Sequence, residues 1–160
     1  MFKFLILFLV LVSLLFSLEF YQGVQERIVE PFTSGLAWFS GLIISIFDDD
    51  VISYGRVIKN TSNLFAIKIE AGCNGVEAAI VLFSAIMAFP AKLIQKLIAV
   101  ILGLFSIQIL NIIRIISLFY LGQWNMSIFS WFHLYLWPVL IMLDVVLVFL
   151  IFINFLGREN

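Results

Sequence analysis

Four long apolar runs dominate the chain, and short polar interruptions separate them. The first, 2–20, is broken only by Lys3, two serines and Glu19. At about 19 residues it is long enough to cross the ~30 Å hydrocarbon core of a bilayer. No small-x-small cleavage site follows it, so it reads as a retained helix and not as a signal peptide. Further runs at about 76–89, 93–121 and 132–156 predict three more spans, with Pro90 and Lys92 marking the turn between the first two of these. The run is short if started at Val76, but it can extend back to about Cys73.

Segment 22–47 is different. Its first half carries Glu26, Arg27 and Glu30, and its second half holds only about 13 strongly apolar residues, below the usual spanning length. Lys92 and Lys96 share one short loop, which places that loop on the cytoplasmic side. Counting from there puts Cys73 and His133 outside, Arg114 near the outer edge, and Arg158 inside. If 22–47 does not cross, Lys3 is also inside. The pattern therefore predicts an all-α integral membrane helix bundle with about four full spans plus an interfacial or re-entrant 22–47. Five spans result if 22–47 crosses. Asp48–Asp50 form a polar stop, and the β-branched stretches 51–58 and 64–69 flank Lys59-Asn60-Thr61-Ser62-Asn63. That alternation predicts a small extracytoplasmic β-hairpin before Cys73. Residues 123–130 read as the remaining outer loop, and the 160 residues read as one domain.

Composition narrows the function classes. The chain is 64% hydrophobic with 18 Phe, beyond the usual share in a soluble globular domain. A net charge of −1 without a basic stripe argues against nucleic acid. One Cys excludes an internal disulfide, and one Cys with one His falls short of a metal-ligand set. No cofactor is expected.

Ionisable groups kept inside apolar spans are functional candidates by default. Cys73 lies in "EAGCNGVEAA", Arg114 interrupts "QILNIIRIIS", and His133 opens "WFHLYLW". From Lys96 to Arg114 a helix rises about 27 Å, so Arg114 reaches the outer edge, at the depth of Cys73 and His133. Gln108, Asn111, Arg114 and Ser117 recur at helical spacing, giving one polar row that should face the bundle interior. Cys73 before a helix gains from the dipole, which favours thiolate. His133 suits proton transfer, and Arg114 suits stabilisation of an oxyanion. A single buried Cys is usually an inert small hydrophobe, and a lone Arg or His at a span end often reaches for the interface. Their shared depth is what lifts the three above that background.

Asn74, Glu77 and Asn111 are candidate supporting residues. Glu77 could pair with Arg114 or His133, or bridge helices. Asp144 lies ~16 Å deeper than His133 on nearly the same face, where a structural role is expected. Trp124, Trp131, Tyr135 and Trp137 read as an outer aromatic belt. Other single-Cys classes fail: Glu70 occupies the apolar position of a lipobox, no Gly-x-Ser-Gly element is present, and a thiol oxidase needs a second Cys.

The strings "AGCNGVEA", "QILNIIRIISLFYLGQWN" and "HLYLWPVLIMLD" resemble the exosortase/archaeosortase family, and closely its short exosortase H subtype. The likeness runs from Ile69 to the end and is weaker in the preceding hairpin and at Val29–Pro31. It implies a cysteine transpeptidase of the bacterial inner (cytoplasmic) membrane, its active site on the extracytoplasmic face, with Cys73, Arg114 and His133 catalytic. The implied partners are exported proteins ending in an Ile-Pro-Thr-Leu-type motif, a transmembrane helix and a basic tail, together with membrane lipid and a glycan or lipid-carrier acceptor. A membrane cysteine protease using water, and a non-enzymatic membrane assembly subunit, remain as alternatives. The chain lacks the extra amino-terminal spans of larger family members.

Overall fold

A computed structural model describes residues 2–159, with side chains to residue 157; Arg158, read above as a cytoplasmic anchor, lies outside the described side chains. In chain order the elements are α1 (Phe2–Glu19), α2 (Gln22–Val24), a π turn (Gln25–Val29), α3 (Glu30–Ile44), β1 (Val51–Tyr54), β2 (Val57–Asn60) and β3 (Ala66–Lys68). Then come α4 (Val76–Ala88), α5 (Leu93–Trp124), α6 (Met126–Trp131), a second π turn (Phe132–Leu136) and α7 (Trp137–Glu159). The protein is a helical membrane bundle carrying a small antiparallel sheet.

Among the described residues three helices are long and apolar enough to cross a bilayer: Phe2–Glu19, Leu93–Trp124 and Met126–Gly157. The fourth apolar helix, Val76–Ala88, has 13 residues and rises about 20 Å. It does not extend back to Cys73, because Gly72 and Gly75 adopt φ +84° and +79° and end the helix there. At its other end Lys96 Nζ donates to the Met87 carbonyl at 2.8 Å, satisfying one of the orphan acceptors of the last turn.

Segment 22–44 is almost continuously helical. Its contacts place it at the Cys73 end of the bundle. Glu30 pairs with Arg56 at 3.3 Å, Thr33 meets Asn74, and Gly41 packs so closely on β1 that a Cβ would lie 2.8 Å from that of Ser53. Leu36, Ala37 and Ile44 share a core with Val51, Ile58, Ile69, Ile115 and Phe119. A second core joins α4, α5 and α7 through Leu82, Ile86, Ile107, Ile141, Val145 and Phe152.

The expected hairpin is a three-stranded meander of order β1-β2-β3. Residues 51–58 do not form one strand: Gly55, at φ +52°, folds them into the β1–β2 hairpin. A turn at 61–63, shorter than the 59–63 break expected, then leads to β3, which pairs with β2 from Lys68 opposite Val57 to Ala66 opposite Lys59. Phe65 packs edge-on against Phe119, and Asn63 Nδ2 donates to Gln123 Oε1 at 2.7 Å, anchoring this turn on α5. The outer loop expected at 123–130 is mostly helix. Asn125 ends α5 and caps α6, its Oδ1 accepting from Ser127 N at 2.8 Å and Ile128 N at 3.2 Å.

Candidate active site

Cys73 sits on the loop between β3 and α4. Its N–H donates to the Glu70 carbonyl at 3.0 Å, closing a tight turn. Three neighbours pin the loop. Asn74, fully buried, donates from Nδ2 to Thr33 Oγ1 at 3.1 Å and accepts at Oδ1 from Val76 N at 3.0 Å. Its carbonyl accepts from Gln108 Nε2 at 3.4 Å. Thr33 in turn donates to the Val29 carbonyl at 2.7 Å, within reach of the first π turn. A Cβ at Gly75 would meet Gln108 Nε2 at 3.0 Å and Ile107 Cγ2 at 3.3 Å, so both its positive φ and its close neighbours require glycine.

Arg114, on α5, donates from Nη2 to Cys73 Sγ at 3.4 Å. His133 Nε2 lies 4.0 Å from the same sulfur. The structure thus brings together three residues from three separate segments. Arg114 is 5% exposed and has no ion-pair partner among the described residues; its Nε is also unpartnered. A buried cation without a counter-charge is costly and persists where something later neutralises it. His133 lies in the second π turn, and such turns recur at functional sites because they re-aim a side chain. Among the described residues no carboxylate orients its ring. Phe129 stacks on it instead, with centroids 5.6 Å apart and planes 9° from parallel, while Nδ1 is buried without a partner.

Burial pushes the Cys73 thiol above its usual range; Arg114 opposes this, and Glu77 and Glu70 add to it. Burial therefore works against the thiolate that the helix dipole favours. His133 is the imidazole nearest the thiol, at 4.0 Å. The cleft lined by Ile67, Lys68, Ile69, Cys73, Arg114 and His133 measures about 50 Å³, room for a peptide carbonyl. Two larger grooves, about 430 and 510 Å³, lie at the Lys92 end of the bundle among mainly apolar side chains and carry no such chemistry.

The supporting candidates divide. Asn74 shapes the loop. Asn111 is fully buried on the Arg114 side of α5, close to Gly75, with both amide atoms unpartnered. Glu77 pairs with neither Arg114 nor His133: its Oε1 accepts from Gly72 N, holding the Cys73 turn from below. Ser117, the last of the polar row, donates to the Arg114 carbonyl at 2.9 Å, within its own helix. Asp144 accepts from Ser106 Oγ at 2.8 Å, a tie between α7 and α5. Two participants escaped the sequence reading. Thr33 is a threonine inside an apolar stretch whose partner lies 41 residues away. Glu19 ends α1 at 3% exposure, its carboxyl interacting with that of Glu77 and otherwise lacking a donor.

No curated protein and no solved structure gives a significant match to the chain. The model of one protein family, transmembrane exosortase, matches residues 1–152. That match takes in the sheet, the Cys73 turn and the helices bearing Arg114 and His133, and the chain belongs to the transmembrane exosortase family.

Proposed function

We propose that the protein is a membrane-embedded cysteine transpeptidase that cleaves the carboxy-terminal sorting signals of exported proteins. One observation carries this reading: a single sulfur placed 3.4 Å from an unpaired guanidinium and 4.0 Å from an imidazole. In the reaction, His133 takes the Cys73 proton and the sulfur attacks the scissile carbonyl. Arg114 stabilises the oxyanion that develops. The C–N bond breaks, His133 returns the proton to the leaving amine, and a Cys73 thioester remains. A hydroxyl of a surface glycan or lipid carrier then attacks the thioester, gives its proton to His133, and regenerates the thiol. The substrate signal is of the Ile-Pro-Thr-Leu type followed by a transmembrane helix and a basic tail, as the resemblance to exosortase H implies. The site faces outward from the bacterial inner membrane, in keeping with Lys92 and Lys96 at the opposite end of α4.

The non-enzymatic reading explains less. A guanidinium used to tie helices would have a carboxylate or carbonyl partner, whereas among the described residues the hydrogen bond Arg114 makes is to the sulfur. The test is product analysis with purified enzyme and a synthetic sorting-signal substrate. Transpeptidation gives the amino-terminal fragment joined to an added acceptor. A free carboxylic acid whatever the acceptor supplied identifies hydrolysis, and no cleavage removes the enzyme reading.

A further inference from the structure

Among the described residues β3 has one strand partner. It pairs with β2, and the hydrogen bonds at its two ends fix which groups face which way: Asn60 N donates to the Phe65 carbonyl and Ile69 N to the Arg56 carbonyl, both at 2.9 Å. In an antiparallel ladder such pairs recur at every second residue. Phe65, Ile67 and Ile69 therefore direct their backbone groups toward β2. Ala66 and Lys68 direct theirs the other way. No backbone or side-chain partner meets those groups among the described residues, and both residues are exposed. An open strand edge is a template for another extended chain.

The edge also borders the chemistry. After Lys68 the chain turns at Glu70–Cys73, and Ile67, Lys68 and Ile69 line the same cleft as Cys73, Arg114 and His133. We infer that the extended peptide segment of the substrate pairs with the open edge of β3 as a fourth strand, delivering its scissile carbonyl to the Cys73 sulfur. This rests on the transpeptidase reading and adds how the substrate is held. Main-chain pairing supplies affinity that is indifferent to side chain, and the cleft beside it reads the residue at the cut. A paired strand lies about 4.8 Å from β3, on the edge whose residues Ile67 to Ile69 line the cleft. Ile67 and Ile69 hold the edge rigid from behind by packing into the core of α3 and α5.

The test uses the full-length enzyme in lipid nanodiscs and synthetic sorting-signal peptides N-methylated at one backbone amide at a time. Strand pairing predicts that kcat/KM falls about three- to tenfold at alternate positions and little at those between, one hydrogen bond being lost each time. On the enzyme, Lys68→Pro removes an outward N–H while leaving the β2 ladder intact; it should lose a similar factor relative to Lys68→Ala, mostly in KM. Lys68→Ala is the control for the Lys68–Glu70 ion pair. Unchanged Cys73 alkylation in Lys68→Pro verifies that the fold is kept; should it change, the peptide scan decides alone. Losses without alternation, or none, overturn the pairing while Cys73-dependent cleavage stands. Cleavage that persists in Cys73→Ala overturns the transpeptidase reading and this inference with it. An edge that instead pairs two copies of the enzyme, seen as a dimer lost in Lys68→Pro with an unaltered peptide scan, also overturns it.

Discussion

Arg114 donates to the Cys73 sulfur across 3.4 Å, and no carboxylate among the described residues lies within ion-pair distance of its guanidinium. The cation is held by its position on α5 and not by a counter-ion, and its Nε is buried without a partner among the described residues; on the proposed mechanism these donors meet the charge that develops on the substrate. Cys73→Ala, Arg114→Ala and His133→Ala should each reduce substrate processing by about 10³-fold or more, because groups acting as a unit fail together. Immunoblots of membrane fractions should show normal accumulation. Arg114→Lys should fail almost as badly, since lysine keeps the charge and loses the planar fork. Near wild-type cleavage by the lysine variant would reduce Arg114 to a mere charge.

The pH dependence of thiol reactivity follows from the charges around Cys73. Burial raises the pKa, Arg114 lowers it, and Glu77 and Glu70 raise it. Alkylation of the resting enzyme should therefore climb with pH and reach half its limit above the usual thiol range. Arg114→Ala removes a charge that favours thiolate, so the midpoint moves up. Glu77→Gln removes one that opposes thiolate while keeping an acceptor for Gly72 N, so the midpoint moves down. Rates of iodoacetamide labelling across pH measure this, and shifts of the opposite sign contradict the arrangement.

Loop support is testable apart from chemistry. Asn74→Ala deletes the bonds to Thr33 and Val76 N in a fully buried setting, and a lowering of stability by about 2 kcal/mol is expected. Gly75→Ala forces a Cβ into positive φ beside Gln108 and Ile107, at a cost of about 1–2 kcal/mol. Its processing should fall about tenfold through displacement of Cys73. Thermal melts in detergent and cleavage assays check both.

Much of this was legible in the sequence because helix rise is a ruler. Counting from Lys96 put Arg114 at the Cys73 end of α5, where the structure has it, and Pro90 separated α4 from α5, but the start of α4 was read back toward Cys73 and lies at Val76. The sheet was harder, since β-branched residues mark strands but only the positive φ of Gly55 splits 51–58 into two. Glu19 read as the polar end of a span, and only the packing of α1 on α4 reveals it as buried against Glu77. Neither π turn leaves a residue signature. The dipole argument, that a helix start favours thiolate, left out desolvation, which opposes it and comes from tertiary packing.

Topology is open to a direct check. Cys73 is the one thiol in the chain, so a membrane-impermeant maleimide on intact spheroplasts should label it, and Cys73→Ser should remove the signal. Labelling only after permeabilisation would turn the bundle over and separate the site from exported substrates.

The most direct measurement of the central claim is the intact mass of the enzyme after brief incubation with a sorting-signal substrate and no acceptor, quenched in acid. The account predicts an adduct equal to the amino-terminal substrate fragment, localised to Cys73, released by hydroxylamine, and missing in Cys73→Ser. Complete substrate cleavage with no such adduct at any time, undiminished in Cys73→Ser, would contradict it.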